Sequence, residues 1–349
     1  MNKPVRAERG ATIIDVAARA GVSPMTVSRV INGHEGVRPR TREAVQRAID
    51  ALAYTPNVAA RSLVTSTELR IGIVYSNPSA AFMSDFLTGV FEEASTHGAR
   101  LILLKGEAGR PPSREALENL IASGISGALL APPLGEAQGV LDIVHAAGLP
   151  IAAVGAYRVT DALCVRVDDR RAAYEMSRLL LDQGHRRVGF ILGNPDQAAS
   201  AERMAGFYDA VREVGDVDIR VAQGDFSYAS GLVAGEQLLD HAKPPTAIFA
   251  SNDDMAAATV SVAHRRQLDV PRELTVVGFD DTPAAVMLWP PLTTVRQPVH
   301  KLAAEALSLL VAGIAQGGTP RQRREIILDH ELVLRQSVAP PPSERDRGA

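Results

Sequence analysis

The chain has 349 residues, of which 46% are hydrophobic, 22% charged and 4% aromatic, with a single cysteine. Such a chain has two or three domains with aliphatic cores, and one cysteine excludes a disulfide framework or a cysteine-built zinc site within it. The net charge of −3 is unevenly spread: residues 1–70 hold eleven Lys and Arg against six acids, a head of +5 on a body of −8, the asymmetry of a nucleic-acid-binding segment joined to something else.

Apolar runs such as GALLAPP at 127–133 fall far short of the about 20 residues that span a bilayer, so no membrane partner is expected. The N-terminus, MNKPVRAERG, lacks the apolar stretch of a secretory signal, and a reducing cytoplasm is the expected compartment. Neither a phosphate-cradling P-loop string nor a dinucleotide-binding glycine string occurs, and no cofactor is expected.

In chain order, the first sixty residues read as helices. Thr12 opens one as N-cap, with Ile13, Val16 and Ala17 at helical spacing and Gly21 as its stop. Ser23-Pro24 opens a second, which runs through Val27, Val30 and Ile31 to the turn Asn32-Gly33. A third begins near Pro39 and aligns Val45, Ala48, Ile49 and Leu52. Helix, glycine-containing turn and helix make a helix-turn-helix, whose second helix exposes Ser23, Pro24, Met25, Thr26, Ser28 and Arg29 near its start. Residues 57–67, rich in small residues, basic at Arg61 and apolar at Val58 and Leu63, read as a hinge that orders on a partner; a helix of two turns is marginal alone.

From residue 70 apolar strands alternate with amphipathic helices. Strands are expected at 71–76, 100–105, 127–132, 150–155, 163–167, 187–193, 246–251 and 274–280. Helices are expected at 83–97, 114–123, 136–147, 170–183, 200–214, 228–241, 254–267 and 299–316. Continuous apolar strands between helices imply parallel sheets covered on both faces, and this length suggests two α/β lobes. The Pro-rich polar tail from 337 is expected to be disordered.

These strings carry a resemblance. Residues from TIIDVAARAGVSPMTVSRVINGHEG to YTPNVAARSL resemble the DNA-binding head of the LacI/GalR transcription regulators. The body resembles the same family at AERMAGF (201–207), GDFSYASG (224–231), AIFASNDDMA (247–256) and VVGFDDTPAAVMLWPPLTTVRQP (276–298). The resemblance implies an all-α helix-turn-helix head (1–56), a hinge (57–69), a periplasmic-binding-protein-like core of two Rossmann-like lobes (70–336) and a tail (337–349). It implies a transcription regulator, most naturally a repressor of sugar-utilisation genes, that binds operator DNA and answers to a small-molecule effector held between the lobes. Turnover is not expected.

On that reading the 23–32 helix lies in the major groove. Arg29 is the candidate for a bidentate guanine contact, Pro24 and Met25 supply apolar contacts, and Thr12, Ser23, Thr26, Ser28 and Asn32 position phosphates. Leu63 matches the family's apolar minor-groove wedge, with Asn57, Ala60 and Arg61 in the same hinge helix. Ser76, Arg203, Phe226, Asn252 and Asp280 fall at strand or helix ends, separated by up to 204 residues, where a doubly wound fold puts its ligand. The resemblance makes them effector contacts: Arg203, Asn252 and Asp280 for adjacent hydroxyls, Phe226 for the apolar face of a sugar. The Asp pairs 168–169, 253–254 and 280–281 read as caps and acceptors rather than as metal ligands.

Ala131 and Gly155 stand where sugar-responsive relatives often carry polar side chains, so a larger or less polar ligand stays open. Tyr75 or Phe82 as a second aromatic wall would admit a purine-like effector. With no leucine heptad after 335, a homodimer on a pseudo-palindromic operator is the expected assembly. The rivals are a transport-type sugar receptor, which leaves residues 1–67 without a purpose, and a sugar-acting α/β enzyme, for which no nucleophile–base string is present.

Overall fold

A computed structural model describes residues 13–31, 38–52, 68–107, 109–157, 159–160, 162–317 and 324–342. The chain divides into two compact units, 1–68 and 69–349. Thr12, Asn32, Asn57, Ala60, Arg61 and Leu63, all expected at DNA, lie outside the described residues.

The first unit contains α1 (Ile13–Ala20), α2 (Pro24–Ile31) and α3 (Pro39–Ala51). Gly21, at φ +65°, ends α1 in the left-handed conformation that glycine tolerates best. Ser23 Oγ accepts the Thr26 amide at 3.2 Å and lies 3.0 Å from Thr26 Oγ1, capping α2 as the Ser-Pro pair predicts. Val16, Ala17, Val27, Val30, Val45 and Ala48 close a small core between the three helices. Ser23, Pro24, Met25 and Arg29 face solvent, Thr26 is half-buried, and Ser28 falls on the same helix.

The second unit alternates strand and helix. It runs β1 (Arg70–Tyr75), α4 (Ala80–His97), β2 (Arg100–Lys105), α5 (Arg114–Ala122) and β3 (Gly127–Leu130). A short 3-10 turn (Leu134–Glu136) leads to α6 (Gln138–Ala146), β4 (Ile151–Val154) and β5 (Leu163–Val167). Next come α7 (Asp169–Asp182), β6 (Arg187–Leu192), α8 (Ala198–Val214), β7 (Asp218–Gln223) and α9 (Tyr228–Leu239). Then follow β8 (Ala247–Ala250), α10 (Asp253–Arg265), β9 (Thr275–Asp280) and α11 (Pro283–Met287). The described chain ends with β10 (Thr293–Arg296), α12 (Val299–Ala315), β11 (Arg324–Leu328) and β12 (Glu331–Val333).

These strands make two six-stranded sheets, ordered β11-β5-β4-β3-β1-β2 and β12-β10-β9-β8-β6-β7. Every described pairing is parallel except β10 with β12. Each sheet reverses its winding beside its first strand, at β1/β3 and at β6/β8, which opens a crevice beyond the carboxyl ends. The central strands β3, β4, β8 and β9 are buried along their whole length, which is why they read as unbroken apolar runs.

The chain passes between lobes three times, after β5, after β10 and after β11. Helix α7 packs on α8 in the second lobe, and α12 packs on α4 in the first. Each expected strand and helix falls on an observed one. Four strands and α11 were not anticipated: β7 is charged and half-exposed, and β10 and β12 have four and three residues.

The tail departs from expectation. Residues 336–342 are placed, and Ser337 is fully buried. Its hydroxyl donates to the Val276 carbonyl at 2.6 Å and accepts the Thr293 amide at 2.8 Å. Buried His185 reaches the Ala339 carbonyl through Nε2 at 3.0 Å and Thr246 Oγ1 through Nδ1 at 2.8 Å. The tail's buried polar groups are thus paired, which offsets the ordering of a Pro-rich segment.

Burial lowers His185 from 6.5 to about 4, so the folded state holds it neutral. The stability it supplies is present above about 6.5 and is lost as pH falls toward 4. The stability difference between wild type and His185→Gln should therefore shrink across that window, measured by thermal unfolding. Ser337→Ala should cost about 1–3 kcal/mol in urea unfolding by stranding two buried backbone groups.

Candidate functional site

Helix α8 brings Arg203 to the crevice. The guanidinium is buried; Nε donates to Asp169 Oδ1 at 2.8 Å and Nη1 to the Ser251 carbonyl at 2.5 Å. It also lies 3.5 Å from the centroid of the Phe279 ring, close enough for cation–π attraction. Asp169 begins α7 immediately after the first crossover, and its second oxygen accepts the Tyr157 hydroxyl at 2.7 Å. A buried cation is tolerated only when paired in this way.

Phe226 follows β7 with φ +72°, and Asp280 ends β9 with φ +114°. Side chains seldom adopt this left-handed backbone, a strain that recurs where proteins bind ligands. Gly193, just after β6, lets the Phe226 ring lie on its backbone; a Cβ there would collide with the ring. Asn252 caps α10, its Oδ1 accepting the Met255 amide, while its Nδ2 donates to the Phe226 carbonyl at 2.9 Å.

Burial raises Asp280 to about 7, against the opposing pull of Arg203 and a 2.6 Å hydrogen bond from Gln297 Nε2. Asp253 is pushed well above the carboxylate range, first by burial and then by the charge of Asp280. Its two oxygens are held by Thr294 Oγ1 at 2.6 Å and by the Thr282 amide at 2.7 Å and hydroxyl at 3.2 Å. Asp253 therefore braces the loop after β9, while the cap on α10 is Asn252.

The two lobes line a shared cavity of about 20 Å³ with Phe82 and Asn77 from the first and Arg203, Phe226, Asn252 and Asp280 from the second. A second cavity of about 20 Å³ lies beside Arg203 against Pro132, Gly155 and Asp169. A wider one, about 540 Å³, opens between the start of α4 and the loop 280–283. Arg203, Phe226, Asn252 and Asp280 are thus brought together across up to 77 residues of sequence. Ser76 is not: it is buried beside Gly106, and Asn77 and Ser79 line the cavity in its stead. Strand β1 is buried through Val74, and the residues that reach the crevice belong to the turn beyond its end. Phe82 forms the second aromatic wall; Tyr75 packs into the first lobe's core.

Residues 12–57 match the family described as bacterial regulatory proteins, lacI family, and residues 178–338 match the periplasmic binding protein-like domain. Catabolite control protein A of Priestia megaterium is 31% identical over 94% of this chain and 99% of its own length. The chain belongs to the lacI family of bacterial regulatory proteins. Two solved structures of this family share the architecture. The transcriptional regulator CelR–cellobiose complex has a TM-score of 0.70 at 31% identity, over 94% of this chain and all of that one. The lac repressor dimer bound to operator and an anti-inducer has a TM-score of 0.73 at 27% identity, over 95% and all.

This lacI-family chain is accordingly a DNA-binding transcription regulator: a helix-turn-helix head and a periplasmic-binding-protein-like core of two Rossmann-like lobes. No described helix is long and apolar enough to cross a membrane.

Sequence reasoning missed Glu136, Tyr157, Gln197 and Gln297. Glu136 and Tyr157 carry no local signal, because their partners are distant in sequence. The Asp168-Asp169 pair did signal: Asp168 caps α7, and Asp169 is freed for Arg203.

Because the folded state raises Asp280 from 3.8 to about 7, its contribution is full below about 3.8 and is lost as pH rises through 7. Asp280→Asn should therefore gain in melting temperature over wild type as pH goes from 4 to 8, read by calorimetry.

Proposed function

We propose that this regulator is a homodimeric repressor whose cleft takes a ring-shaped polyhydroxy effector of the sugar class, in a core beginning after a hinge at residues 57–69. The observation that carries the effector reading is the pair Phe82 and Phe226, one from each lobe, lining one cavity with Arg203 and Asp280. Aromatic faces take the apolar face of a sugar, and the arginine and carboxylate take adjacent hydroxyls. The relative bound to cellobiose supports the class. The cleft volume of about 20 Å³ has room for about one water, so an effector enters only as the lobes part. Lobe movement is what the effector biases, through different affinity for the two arrangements.

On the DNA side, the exposed start of α2 offers Pro24, Met25 and Arg29 to base edges, with Ser23, Thr26, Ser28, Thr12 and Asn32 at phosphates. Leu63 acts as the minor-groove wedge, beside Asn57, Ala60 and Arg61. Val286, Met287 and Trp289, the last two 82% and 78% exposed, form an apolar segment that a second copy would cover. The relative crystallised on its operator is a dimer.

Fluorescence anisotropy of the full chain on its own upstream DNA, at fixed salt, tests the reading as sugars and purines are added singly. A sugar that lowers the anisotropy marks an inducer, and one that raises it marks a co-repressor. A response to purines alone overturns the sugar class and leaves the aromatic pair as a clamp for a planar base. Arg29→Ala should weaken operator binding about 10- to 100-fold. Leu63→Ala should weaken specific binding far more than non-specific binding; equal losses would sink the wedge. Met287→Glu should give a monomer by sedimentation, with operator affinity reduced.

A further inference from the structure

Helix α8 starts without a side-chain cap from its own lobe. Gln197, at the cap position with φ −120° and ψ 120°, makes no side-chain cap bond. The acceptor comes from the other lobe: Glu136 Oε2 takes the amide of Ala198, the first residue of α8, at 2.8 Å. Oε1 of the same carboxylate takes the Tyr157 amide of its own lobe at 2.7 Å. A second path crosses back, because the Tyr157 hydroxyl donates to Asp169, which receives Arg203 from the same helix α8. Glu136, α8, Arg203, Asp169 and Tyr157 thus close a ring that crosses between the lobes twice.

We propose that Glu136 is a positioning residue for effector control: an interlobe latch that caps α8 in trans, holds the lobes together without ligand and fixes Arg203 toward the cleft. The inference rests on the cleft reading above for its regulatory meaning, not for the latch itself. The half-buried Glu136 carboxylate on the amide end of a helix makes a charge-assisted bond favoured by the helix dipole. Separation of the lobes strands the Ala198 amide, so the cap stabilises only the closed arrangement.

Two substitutions cut the bond from opposite sides. Glu136→Gln keeps the shape, but its single carbonyl oxygen replaces two carboxylate oxygens spread over two amides. Ala198→Pro removes the amide at the first helical position, where proline fits, and the extended backbone of Gln197 is the conformation a residue before proline takes. The experiment is single-molecule energy transfer on the full-length chain, with no ligand added. Dyes are attached through S95C and R272C, at exposed positions of the first and second lobes. Each variant should shift the closed-to-open ratio about tenfold or more toward separation, the size of one charge-assisted bond. The double variant should go no further than the stronger single one.

An unchanged ratio in Ala198→Pro, or fully additive shifts, overturns the latch. If Glu136→Gln fails to fold, Ala198→Pro alone decides. A variant that opens the lobes yet leaves operator anisotropy and its effector response as in wild type keeps the latch and overturns the cleft's regulatory role.

Discussion

A guanidinium buried between two lobes sets the terms for the rest of the core. Burying the Arg203 guanidinium without partners is costly, and the fold supplies them, among them the Asp169 carboxylate, the Ser251 carbonyl and the face of Phe279. Each comes from a different element. Asp169 requires the crossover after β5 to deliver α7 at the cleft, Ser251 requires β8 to end there, and Phe279 requires β9 beside it. The pairing of one side chain therefore fixes how the second sheet meets the first crossover.

Around that cation the structure gathers features that a purely structural core would avoid. Asp253 and Asp280 are both buried carboxylates held above their ordinary range. Phe226 and Asp280 occupy left-handed backbone, and Gly193 is stripped of a side chain so that the Phe226 ring can approach. Each of these costs stability, and their coincidence in one crevice supports the proposed effector site. They also divide the carboxylates by task. Asp253 is consumed by Thr282 and Thr294, whereas Asp280 keeps one oxygen on Gln297 and lines the cavity.

The helical head is built on a different plan. Six small aliphatic side chains close its core, so its stability rests on local helices and caps. That economy leaves the start of α2 exposed, which is what an element entering a DNA groove requires. Control of such a head by the core needs only an element with two arrangements, and on the proposed reading the lobes, joined by three crossovers and by polar bonds, serve as that element.

Much of this was legible in the sequence. Central strands announce themselves because burial on both faces demands unbroken apolar residues, and the Ser23-Pro24 start of α2 follows from capping chemistry alone. Phe226, Asn252 and Asp280 lie at strand or helix ends, so alternation of strands and helices locates them. What the sequence could not show has one physical cause: a polar group's role depends on partners that the chain brings together only on folding. The sequence makes Ser76 a plausible ligand contact, and tertiary packing buries it beside Gly106. Composition makes 337–349 a disordered tail, and pairing with Val276, Thr293 and His185 fixes Ser337 and Ala339. Glu136 is an unremarkable acid at the start of an expected helix until folding sets it against Ala198, 62 residues away. Local propensity and apolar period determined the elements, and the residue strings carried the family; the three-dimensional pairing of buried polar groups decided which residues meet at the cleft.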